Sequence, residues 1–199
     1  MDEVYSLPQP EDLHAVAALQ EVEIRPGILI RPLQEEHGAG ILAILDIDPL
    51  IRDRVSVASH LFTQDDIIKE IAAIQSDPGL IRYAILENNN PIGLVSLWRD
   101  DGFFGTPPNP NDYGFGYFID PEERGKGIVT DTVTQLMATA QQSLYVRQFV
   151  AFCEDDNAES VAVLSRLGFE KNGEAFNEPT HGWMEYKYVR SLLEMPPLP

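Results

Sequence analysis

The chain has 199 residues and a formal net charge of −18 at pH 7, with 14 Lys and Arg against 32 Asp and Glu. Its length suits one domain with a terminal extension, and 44% hydrophobic with 23% charged residues is ordinary for a globular protein. The negative field repels nucleic acid and anionic membranes, no apolar run is long enough to span a bilayer, and the single cysteine, Cys153, excludes an intrachain disulfide. One cysteine fits a reducing cytoplasm. The start, MDEVYSLPQPEDL, is acidic and proline-bearing, unlike a secretory signal. The charge serves solubility or draws a cationic partner, such as an amine or a basic protein; composition leaves both readings open.

Residues 10–23, PEDLHAVAALQEVE, predict a helix, with Leu13, Val16, Ala17 and Leu19 near a 3.6 period behind an acidic start. RPG at 25–27 ends it, and ILIRPL at 28–33 predicts a short strand. A helix over 35–47 stops at Asp48–Pro49. Thr63 has the character of an N-cap, with Asp66 three residues on and an apolar face of Ile67, Ile68, Ile71 and Ile74; SDPG at 76–79 breaks that helix. The period then changes. LIRYAILE (80–87) and PIGLVSLW (91–98) predict two strands joined as a hairpin through an Asn run.

RDDGFFGTPPNPND (99–112) reads as a loop and DYGFGYFID (112–120) as an aromatic strand. Val129, Val133, Leu136, Met137 and Ala140 follow at helical spacing. A strand at 147–154, a helix from Asn157 to Leu167 ended by Gly168, and strands in FEKNGE and WMEYKYV complete the pattern. The element order indicates a mixed α/β sheet: a helical extension at 1–27, one domain at 28–189 and a loose tail at 190–199.

The segment DPEERGKGIVTDTV (120–133) sets Arg124, Gly125, Lys126 and Gly127 where a helix begins, directly after a strand. A helix N-terminus exposes unpaired N–H groups and about half a positive charge, and glycine lets a ligand approach the backbone. The segment is a phosphate cradle on this reading, or a glycine-bearing turn with solvated bases. Neither established glycine-rich phosphate pattern fits. Asp120 stands where the P-loop spacing needs its first glycine, and Ile119 and Thr130 stand where G-x-G-x-x-G needs one.

RGKGIV resembles the R-x-x-G-x-G/A pyrophosphate loop of the GNAT-superfamily N-acetyltransferases. GYFIDPEERGKGIVTDTV is similar to that family's acetyl-CoA-binding strand–loop–helix, DNAESVAVLSRLGFEKNGE (156–174) to the segment that follows it, and ILIRPLQEE and PIGLVSLW to its first and third strands. The likeness covers roughly residues 28–189 and is closest to the ribosomal-protein N-acetyltransferase branch. It implies a partly antiparallel, splayed seven-stranded sheet flanked by helices, with acetyl-CoA as co-substrate in the split. On that resemblance Tyr117, Phe118 and Ile119 offer backbone groups to the pantetheine arm and thioester. Arg124, Gly125, Lys126, Gly127, Ile128 and Val129 hold the pyrophosphate, Asn157 contacts the pantetheine, and Ser160 lies near the sulfur. The implied reaction is direct transfer of acetyl to a primary amine, on a small molecule or a protein N-terminus, without a metal. A larger acyl group on the same fold, or an acyl-CoA-binding module with little catalysis, are the alternatives. Monomer and homodimer both remain open.

The chain departs from the family pattern in places. Val129 replaces Gly or Ala, either packing against the sheet or crowding the cofactor. Leu164 replaces a tyrosine acid, which leaves Ser160 as acid or as a helix-start residue. Gly114 replaces a strand glutamate, so Asp112, on the same strand face, is the candidate base, with Glu154, Glu178 and Glu185 as alternatives. His14, His37, His60 and His181 lack metal-ligand spacing, and Cys153 sits in an apolar strand as an inert thiol.

Overall fold

The computed structural model describes residues 12–56, 58–100, 102, 109–177 and 184–192. Glu178, His181, the proline-rich tail, most of the loop after residue 100 and the first eleven residues lie outside the described residues. The described chain forms one sheet of eight strands: β1 (Val22–Arg25), β2 (Ile28–Pro32), β3 (Leu80–Glu87), β4 (Asn90–Asp100), β5 (Asn109–Ile119), β6 (Gln148–Glu154), β7 (Glu170–Asn177) and β8 (Met184–Ser191). Their order is β1-β2-β3-β4-β5-β6-β8-β7. Every neighbouring pair is antiparallel except β5–β6, which is parallel and joined by a helical crossover, as parallel pairing requires.

Among the described residues five α-helices flank the sheet: α1 (Gly38–Ile47), α2 (Leu50–Arg54), α3 (Gln64–Ser76), α4 (Ile128–Ser143) and α5 (Ala158–Arg166). Strand alternation feeds two cores. Leu94 of β4 and Ala84 and Leu86 of β3 bury with Ile41, Leu45 and Ile67 of α1 and α3. Val95 and Leu97, on the other face, bury with Val133, Leu136 and Met137 of α4. Val129 is buried in this second core, which favours the packing reading.

Several local signals hold. Thr63 caps α3 reciprocally: its hydroxyl accepts from Asp66 N at 3.3 Å while Asp66 Oδ2 accepts from Thr63 N at 3.0 Å. Asn88 and Asn89 take φ of 50° and 66°, the left-handed pair that a tight β3–β4 hairpin requires. Asn157 caps α5 by accepting from Ser160 N at 3.2 Å.

Residues 10–23 differ from the expected helix. Their described part makes two 3-10 turns, Leu13–Ala15 and Ala17–Leu19, and then β1. Leu13 N donates to Pro78 O at 2.8 Å, and Leu13, Leu19 and Val22 all bury in the α4-side core. A continuous helix cannot make those contacts and also turn through Pro26–Gly27 to cover β2. Covering β2 removes its open edge and adds the eighth strand where seven were expected.

Glycine 114 also finds its reason here. The Trp98 indole lies flat on β5, where a Cβ on Gly114 would overlap it; a Cβ on Gly116 would stop at an ordinary 3.5 Å from the same ring. Gly114→Ala is expected to destabilise the fold by about 1–3 kcal/mol through overpacking. Gly116→Ala changes stability by no more than about 1 kcal/mol. Urea denaturation midpoints of the two variants test the contrast, and equal losses contradict it.

Candidate functional site

β5 and β6 pair over only three residue pairs: Asp112 with Gln148, Tyr113 with Phe149, and Gly114 with Val150. Beyond them the strands diverge, so the β5 edge from Phe115 to Ile119 that faces away from β4 has no strand partner among the described residues. The opening is a cavity of about 440 Å³. It reaches both faces of the sheet: Asn157, the N-cap of α5, and Ser160 and Leu164 within that helix line one side, and Arg82, Ser96 and Trp98 of β3 and β4 the other.

Asp112 lies outside this cavity. It is buried at the closed end of the split, where Arg147 Nε donates to its Oδ1 and Gln148 Nε2 to its Oδ2, both at 2.7 Å, and it is not among the residues that line the cavity. Its carboxylate clamps the β5–β6 join instead of facing an acceptor. Two of the alternative carboxylates reach the cavity. Glu154 and Glu185 are cross-strand partners on β6 and β8, and both line the cavity. Arg54 Nε lies 3.6 Å from Glu154 Oε2.

Ser160, in the first turn of α5, lies beside Tyr117. Tyr117 Oη is buried without a well-directed hydrogen bond. Burial pushes its phenol up to about 12, and the Ser160 hydroxyl only partly offsets this. Burial likewise pushes the Cys153 thiol up to about 12, so it is a neutral thiol at pH 7, although it lines the cavity. Phe118 and Ile119 bury their side chains on opposite faces of the sheet. They therefore present only backbone to the split.

Where β5 ends, Asp120 accepts from Glu122 N at 2.9 Å and opens a 3-10 turn, Pro121–Glu123. Gly125 and Gly127 follow with φ of 74° and 78°, and a Cβ on either would meet nothing within 4 Å. Gly127 caps α4, and among the described residues no side-chain cap bond closes that helix start. The loop is thus an open, backbone-lined concavity at the positive end of a 16-residue helix. Its two bases are already engaged: Arg124 Nη2 donates to Asp48 Oδ2 at 2.6 Å, and Lys126 Nζ to Glu123 Oε1 at 2.8 Å. The sequence reading missed these acids. It also missed Arg25, which reaches from β1 to Asp131 at 3.0 Å beside the same helix start.

The cavity wall on the β3–β4 side was missed as well. Arg82 is mostly buried, with Nε 2.6 Å from Glu70 Oε1, off-line for a hydrogen bond but a close ion pair, and Nη1 donating to Ser96 Oγ at 2.9 Å. Burial lowers its pKa and Glu70 raises it, and a guanidinium stays charged throughout. The available signal was an arginine at the alternate position of LIRYAILE whose neighbours Ala84 and Leu86 face a core.

The Acetyltransferase (GNAT) domain family matches residues 28–170. A ribosomal-protein-serine acetyltransferase of Escherichia coli (strain K12) is 30% identical over 91 residues, 46% of this chain; the match spans about half that relative, 48%. Among solved structures, RimL, a ribosomal alpha-N-protein acetyltransferase in complex with coenzyme A, superposes with a TM-score of 0.73 at 18% identity, covering 86% of this chain and 98% of that one. The microcin C7 self-immunity acetyltransferase MccE, in complex with acetyl-CoA and AMP, gives 0.72 at 18% identity, covering 87% and 97%. These structural likenesses show the fold.

Asp112→Asn tests the clamp. It is expected to lower stability by about 1–3 kcal/mol, the range for losing a charged, buried hydrogen bond. The pH profile of any activity per folded molecule stays that of the parent. A profile whose acidic limb vanishes in this variant would return Asp112 to the chemistry.

Proposed function

The chain belongs to the GNAT acetyltransferase family, and from that membership we propose that it moves the acetyl group of acetyl-CoA directly to a primary amine in a ternary complex. One observation carries the reading: the β5–β6 split opens as a cavity, and the glycine-lined helix start of α4 stands at the end of the strand that borders it. The names of the relatives support a protein amine as acceptor.

The residues present fit the co-substrate. Open space above Gly125 and Gly127 accommodates a pyrophosphate against the backbone of Arg124 to Val129. The unpaired edge of β5 at Tyr117, Phe118 and Ile119 offers backbone hydrogen bonds to an extended pantetheine arm, and Asn157 lies across the split. Acetyl-CoA supplies the activated thioester.

The protein must supply proton handling. A lysine-like amine loses its proton about three units above pH 7, or roughly 4 kcal/mol. The Glu154–Glu185 pair takes that proton, because the two carboxylates share the cavity wall. The Ser160 hydroxyl donates to the departing sulfur, with Tyr117 Oη beside it. The chain's −18 charge draws the ammonium form of the acceptor toward the protein.

Acetyl-CoA is expected to stabilise the fold by about 2.7 kcal/mol at a hundred times its Kd, read as a thermal shift. Gly127→Ala strains a left-handed backbone by about 1–2 kcal/mol and sets a methyl in the cradle, so the shift shrinks. Ser160→Ala lowers kcat while the acetyl-CoA shift stays. Thiol release with a panel of amines measures turnover. Binding without turnover on any amine would leave an acyl-CoA-binding module, and no binding would overturn the assignment.

A further inference from the structure

The cavity does not share the charge of the chain. Among the described residues its wall carries three of the 14 basic side chains, Arg54, Arg82 and Arg99, and only three of the 32 acidic ones, Asp77, Glu154 and Glu185. The signs are partly separated: Glu154 and Glu185 lie on β6 and β8, with Arg54 3.6 Å from Glu154, while Arg82 lies on β3 and Arg99 on β4. Asp77, near Arg82, has its Oδ1 occupied by Gly79 N at 2.8 Å.

Arg82 is the fixed member of the basic wall. Glu70, itself buried, holds Nε, and Ser96 holds Nη1, so the guanidinium has a set orientation. Nη2 has no hydrogen-bond partner among the described residues, and the side chain borders the cavity. Across the sheet Arg82 pairs with Ser96, and Ser96 with Gly116 on the open stretch of β5. Arg82 therefore stands two strand spacings, roughly 10 Å, from the split. The Trp98 indole, laid over Gly114, forms the floor between.

Resting on the acetyltransferase reading above, we propose that the acceptor carries a carboxylate near its amine and that Arg82 receives that carboxylate. The amine then points to the Glu154–Glu185 wall, which takes its proton. With Arg82 on one wall and the Glu154–Glu185 pair on the other, a dipolar acceptor is oriented in one sense, and a guanidinium anchored at two of its nitrogens loses little freedom on binding. This narrows the expectation of a basic acceptor: the cationic character belongs to the amine alone. A free amino acid and a peptide N-terminus followed by Asp or Glu share this chemistry.

Matched acceptors separate the two sources: a free amino acid against its amide, and a short peptide with Asp at its second position against the same peptide with Asn. The parent is expected to favour the carboxylate member of at least one pair by tenfold or more in kcat/KM, and the favoured pair identifies the source. Arg82→Gln brings that ratio close to one through KM, and Arg82→Lys restores part of it. The acetyl-CoA thermal shift reports that each variant is folded; if Arg82→Gln fails to fold, Ser96→Ala, which removes the Nη1 anchor, is expected to reduce the ratio severalfold. A parent that uses both members of each pair equally overturns the proposal, as does a variant that slows both and keeps the ratio. A parent that binds acetyl-CoA and acetylates nothing instead overturns the transfer reading on which it rests.

Discussion

The short parallel join between β5 and β6 is the constraint on which the rest of the site depends. It holds for three residue pairs and is clamped by Asp112 between Arg147 and Gln148. A longer join would close the sheet and pair the backbone that the site needs open. A weaker one would let the two halves of the sheet drift. Because parallel strands require a crossover, α4 must start where β5 ends, so its unsatisfied N–H groups fall beside the unpaired strand edge. The split and the glycine-bearing helix start are two results of one connection.

Electrostatics act on two scales. At long range the chain is strongly negative, and salt screens that field over a Debye length near 8 Å at physiological strength. Locally the charges are sorted into pairs. Asp48 holds Arg124 and Glu123 holds Lys126, so the backbone and helix dipole carry most of that loop's positive character. Glu70 contacts both Arg82 and the half-exposed His60, at 2.8 Å, and so ties the cavity's buried cation to the α3 side of the sheet.

Much of the fold was legible because the signals are local. Two asparagines at the β3–β4 turn and the Thr63–Asp66 cap each act within four residues and appear as read. The glycines of RGKGIV were legible for the same reason: their left-handed φ values are properties of their own backbone. Residues 10–23 were misread because their apolar spacing suits a helix, while the competing demand, burying Leu13, Leu19 and Val22 and pairing an open strand edge, comes from residues far away in the chain.

The sequence by itself determined the mixed α/β class, the order of the later elements, the position of the helix start and the family resemblance. Only the tertiary structure decided that Asp112 is a clamp, that Glu154 and Glu185 stand side by side, that Gly114 lies under Trp98, and that Arg82 shares a cavity with Ser160. Periodicity and capping report a residue's interactions with its near neighbours, whereas strand order and register place residues such as Arg82 and Ser160 on one wall, and these are settled by how the whole chain buries its two cores.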